Sequence, residues 1–75
     1  MAPNEVLSKL GLPNIGTTYK RGERTIWTLT GLNVSPDVVL LEFSVTGTNA
    51  VTYKAIDEFK KFVNDGTLKL MGVLG

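Results

Sequence analysis

The chain has 75 residues, with eight Lys and Arg against seven Asp and Glu, a formal net charge of +1, and neither cysteine nor histidine. Without cysteine there is no disulfide framework and no thiolate metal site. Without histidine the commonest metal ligand and general base are missing, so no Ser–His or Cys–His arrangement can form. The length implies one small domain, residues 1–75, and the near-neutral charge is not that of a dedicated nucleic-acid binder.

Residues 3–12 read as a short helix. Asn4 is placed to cap its first turn, Glu5 sits at the positive end of the dipole, and Val6, Leu7 and Leu10 share a face. Gly11 and then Pro13 end it. Two turns are too few to be stable alone in water, so the helix must dock, either on an open end of the core or, as an arm, on a partner.

Asn14-Ile15-Gly16 forms a turn before a first strand at 17–20. Gly22, within Arg21-Gly22-Glu23, supplies the positive φ of a tight reversal. The second strand, 24–32, alternates imperfectly. Trp27 and Leu29 share one face and are expected inside with Tyr19, whereas Ile26, Thr28, Thr30 and Leu32 share the other; burial of Ile26 is the alternative. Gly31 marks a bend or bulge.

Asn33 to Pro36 is turn chemistry, although Asn33-Val34-Ser35 matches a glycosylation sequon. The third strand, 37–45, carries Val39, Leu41, Phe43 and Val45 on one face and is apolar on both faces at its start, as a central or covered strand is. After a turn at 46–49, the fourth strand, 50–55, sets Val51, Tyr53 and Ala55 against Thr52 and Lys54.

The period then changes. Ile56, Phe59, Phe62 and Val63 form one helical stripe over 56–65, with Asp57 as N-cap, Lys60 and Lys61 toward solvent, and Gly66 at the C′ position. In the final segment, 67–75, Leu68 and Leu70 flank Lys69 as in a closing strand. The order α-β-β-β-β-α-β, with short connections, gives an antiparallel meander. Four or five such strands can curl into a small barrel with a helix plugging one end, which also covers the edges.

No apolar run approaches the roughly 18 residues of a membrane-spanning helix. The N-terminus, MAPNEVLSKLG, lacks a basic segment followed by an apolar one, so it does not read as a signal peptide and a cytoplasmic location is expected. No carboxylate set forms a metal loop, and no glycine set precedes a helix as a phosphate-binding fingerprint does, so no metal, cofactor or enzymatic activity is expected. Two regions offer contacts to a partner. The basic turn brings Lys20, Arg21 and Arg24 beside Tyr19 and Trp27, either as a surface that tracks phosphates and stacks bases or as a solvated hairpin tip. The apolar tail, with Leu70, Met71, Val73 and Leu74, either pairs into the sheet or forms a patch for a partner or for self-association.

The succession GTTYKRGERTIWTLTGL, DVVLLEFSVTG and VTYKAIDEFKKFVNDG resembles small SH3-like barrel proteins of bacteriophages and mobile elements. The matching positions are Gly16, Tyr19, Gly22, Trp27, Gly31 and Asp57-Glu58-Phe59, across about residues 14–66; the N-terminal helix and the tail fall outside it. The resemblance implies an α+β, β-rich, SH3-like barrel with a short N-terminal helix and a helix at 56–65. It also implies a non-enzymatic protein binder, in some members one that seizes a host machine such as RNA polymerase, and a host-cytoplasmic location. The function expected is thus a protein-binding module, a phage-type regulator of a larger host complex. The alternatives are a nucleic-acid-binding barrel using residues 20–24 with Tyr19 and Trp27, and a structural or self-assembling component.

Overall fold

Left-handed glycines end or reverse the chain at the points that set its path, Gly11, Gly22, Gly47 and Gly66 among them. The computed structural model describes residues 3–48 and 50–73. Helix α1 spans Pro3–Lys9 and ends where Gly11 adopts φ +71°. The Leu12 N–H donates to the Leu7 carbonyl at 2.8 Å and the Gly11 N–H to that of Ser8 at 3.1 Å. This pair of bonds is a Schellman motif, and its hydrophobic partners Leu7 and Leu12 are both buried in the core cluster. The helix is therefore shorter than expected from the sequence. Asn4 does not cap it: Asn4 is already a helical residue, and its side-chain Oδ1 accepts the Ile15 N–H at 2.8 Å, pinning the loop that follows.

Strand β1 (Thr17–Arg21) turns at Gly22, φ +70°, into β2 (Thr25–Val34). Strands β3 (Val39–Val45) and β4 (Val51–Ala55) continue the meander. The register of β2 on β3 shifts between Leu29 and Gly31. That bulge exchanges the faces of β2: Trp27 and Leu29 point inward before it, and Leu32 lies opposite the buried Leu41 after it. Leu32 thus leaves the face it shares with Ile26 and Thr28 in simple alternation. Tyr19, Trp27 and Leu29 are buried as expected, while Ile26 is half-buried on the other face.

Helix α2 (Ile56–Asn64) begins directly after β4, so its N-cap is Ala55, without a side-chain cap, and Asp57 lies in the first turn. Phe59 is the residue it buries, with Ile56 and Phe62 packed at the core margin and Val63 39 % exposed. Gly66, φ +85°, then sends the chain into β5 (Leu68–Val73), which pairs antiparallel with β1. The tail therefore pairs into the sheet as far as Val73.

The strand order is β4-β3-β2-β1-β5. Within this antiparallel sheet β4 and β5 are the two edges, so the sheet is open rather than closed on itself. Helix α2 carries the chain from one edge to the other and lays Phe59 across the inner face. The Phe59 ring meets Tyr19 of β1 edge-on at 5.3 Å and stacks on Phe43 of β3 at 5.7 Å. An aromatic helix residue thus occupies the inner face that the closing strands of a barrel would otherwise share.

Candidate functional site

The basic turn and the C-terminal strand meet because β1 pairs with β5. Lys20 lies opposite Lys69, and Tyr19 opposite Leu70. Residues directly opposite in an antiparallel pair share a face, so two like charges stand side by side on the outer surface, an arrangement that costs stability unless an anion relieves it. Arg24 is exposed in the turn and Arg21 at the end of β1.

Tyr19 is only 5 % exposed and Trp27 only 3 %. Trp27 packs against Phe43 at 5.5 Å, and burial pushes the Tyr19 phenol above its usual pKa. Neither ring is displayed for a base to stack on, so the basic turn keeps its charge and loses its aromatic platform. Leu70 and Met71 are 67 % and 52 % exposed on the β5 edge. Val73 pairs through its backbone with Thr17, and Leu74 lies outside the described residues.

Arg21 has a second role that sequence reading missed. Its guanidinium sits 5.0 Å from the centroid of the Trp27 ring and 5.8 Å from that of Phe62, and the Lys54 ammonium is 5.7 Å from the same Phe62 ring. Lys54 reaches this place because β4 is registered with Lys54 opposite the inward Leu41. It also pairs with Glu58, in the first turn of α2, at 3.4 Å. The Glu58 spacing from Lys54 is visible in the sequence; the approach of Arg21 to Phe62 of α2, with three strands between them in the chain, has no local signal.

These groups stand beside an open cleft of about 710 Å³ at one end of the sheet. Arg21 contributes from β1, Thr25 and Trp27 from β2, Val45 from β3, Thr52 from β4, and Thr67 from the turn before β5. The cleft therefore spans the gap between the two sheet edges. In the same turn as the lining residue Thr67, the Asp65 carboxylate accepts the Thr67 N–H at 2.9 Å, and hydrogen bonding from Thr67, its side chain first and then its N–H, holds that carboxyl below its usual pKa.

The opposite edge carries a further apolar pair. Val51 and Tyr53 lie opposite Ser44 and Glu42, on the outer face, and are 47 % and 46 % exposed. Comparisons with family models, with curated proteins and with solved structures each find no match to this chain. Among the described residues no group of three or more Asp and Glu is placed to hold a metal ion, and no helix is long and apolar enough to cross a membrane.

Proposed function

We propose that this chain is a non-enzymatic protein-binding module, a phage-type regulator that docks on a larger host complex such as the transcription machinery. The observation that carries the reading is the β5 edge, which offers backbone unpaired among the described residues and the exposed side chains of Leu70 and Met71 along one rim of the sheet. An exposed apolar edge strand invites association, and protein chains normally blunt such edges. A partner that adds a strand there gains main-chain hydrogen bonds and covers both side chains, the mode of β-augmentation. Burial of Tyr19 and Trp27 favours this reading over the nucleic-acid one, which needs those rings at the surface.

The finer fold assignment belongs to the same proposal. A five-strand meander whose last strand returns beside the first, with a helix before it, supports an SH3-like half-barrel that remains open between β4 and β5. The resemblance to phage and mobile-element barrels is what extends the reading to a host complex.

The test is a pull-down from bacterial lysate with the wild-type chain and with a double variant, Leu70→Glu and Met71→Glu. Both residues are exposed, so the variant should keep its fold, checked by circular dichroism. A partner held at stoichiometric level by the wild type and lost by the variant supports the proposal. No such partner, or one retained equally by the variant, overturns it.

A further inference from the structure

Resting on the protein-binding reading, we infer that the cleft beside Arg21 binds an acidic peptide segment of the partner, gripping a carboxylate with the Arg21 guanidinium. Three observations converge. The first is that Arg21 is held in place but not neutralised. Its charge lies within cation–π distance of Trp27 and Phe62, while among the described residues the ion pair is Lys54 with Glu58. An arginine steadied by two rings loses less side-chain freedom when it binds, and its planar fork matches a carboxylate bidentately.

The second is the set of hydroxyls around it. Thr17, Thr18, Thr30, Thr46 and Thr48 each donate to an oxygen of the protein. Thr25 and Thr52, which line the cleft, have no such bond among the described residues and are free to donate to a ligand oxygen.

The third is the balance of charge and apolar surface. Lys54 stands nearby, already offset by Glu58, and the cleft's own lining contributes one cation and no carboxylate. Asp65, adjacent in sequence to the lining residue Gly66, accepts the Thr67 N–H. The floor is Trp27 and Val45, which suits the aliphatic stem of a glutamate or an apolar neighbour. A nucleic-acid strand would instead call for several cations in line and an exposed ring.

The sole tryptophan forms part of the floor, so the chain carries its own reporter. The experiment titrates the full chain with a short alternating Glu-Leu peptide, its Gln-Leu counterpart, inorganic phosphate and a short oligothymidylate. It follows Trp27 fluorescence and amide and indole N–H resonances. The expected result is saturable binding of the Glu-Leu peptide, weakened by added salt, with shifts at Trp27, Arg21, Thr25 and Thr52. Loss of a charge-assisted bidentate contact predicts roughly tenfold weaker binding for Arg21→Gln, with Arg21→Lys between it and wild type. Lys60→Gln, on the exposed side of α2, should leave the affinity unchanged.

Equal binding of the Gln-Leu peptide, tighter binding of phosphate or oligothymidylate, or an unchanged affinity in Arg21→Gln overturns the inference. Should Arg21→Gln fail to fold, Thr52→Val keeps the question open to refutation, since it should weaken binding severalfold. The Leu70→Glu, Met71→Glu double variant should bind the peptide as the wild type does. A failed cleft is thereby distinguished from a failed edge-strand reading.

Discussion

Replacing Leu7 by alanine decides whether α1 is part of the domain or an arm held for a partner. Seven residues of helix cannot persist alone in water, so α1 exists here because its Schellman turn folds Leu12 back beside Leu7 and both join the core. Leu7 has no exposed surface, whereas Leu10, on the same short helix, is 40 % exposed. Truncation of a fully buried leucine removes its transfer free energy and leaves a cavity, together about 3 kcal/mol within a usual range of about 2 to 5. A domain of this size has a total stability of only about 4 to 11 kcal/mol, so the loss is a large share of it. The melting temperature should fall by about 12 to 24 °C, at the rate of about 4 to 8 °C per kcal/mol expected for a small domain. Leu10→Ala, the control, should cost less than about 1 kcal/mol. Urea titrations followed by circular dichroism and Trp27 fluorescence would measure both variants. A Leu7→Ala protein within about 0.5 kcal/mol of wild type would refute the reasoning and return α1 to the status of an arm.

Two further outcomes follow from backbone geometry and charge. Gly22→Ala should destabilise by about 1 kcal/mol through its positive φ alone, since a methyl group there would meet nothing within 4 Å. Gly31→Ala, whose added carbon would make ordinary van der Waals contact with the Glu42 side chain, 3.4 Å from its carboxylate and 3.6 Å from its Cβ, should change stability by less than about 0.5 kcal/mol; similar costs at both sites, in chemical denaturation, would contradict this. Asp65→Asn should melt below wild type at neutral pH, because the folded-state carboxyl lies below its unfolded pKa. A depressed carboxyl contributes stability that is present above the unfolded pKa and is lost as the pH falls through the folded one, so the gap should close on acidification. A gap independent of pH would show that the Asp65 charge plays no part.

Much of the local structure was legible because its causes are local. Gly11, Gly22 and Gly66 stand where the chain must take a left-handed conformation, and each does so at a helix end or a reversal. The period of two in β3 and the switch to a helical stripe at Ile56 located their elements, since apolar spacing alone reports which residues share a face. Helix caps were less legible. A cap depends on where the chain enters, and the direct passage from β4 into α2 left Asp57 inside the helix.

What required the tertiary structure is whatever depends on register between distant segments. One extra residue at the β2 bulge moved Leu32 to the inner face, and the pairing of β4 with β3 turned Val51 and Tyr53 outward and Lys54 inward. The antiparallel return of β5 beside β1 set Lys20 against Lys69 and left the sheet open. Composition and spacing mark Arg21 as one of the cations of the basic turn. Only packing brought it between Trp27 and Phe62, because those rings come together through the core and no pattern along the chain encodes their distance.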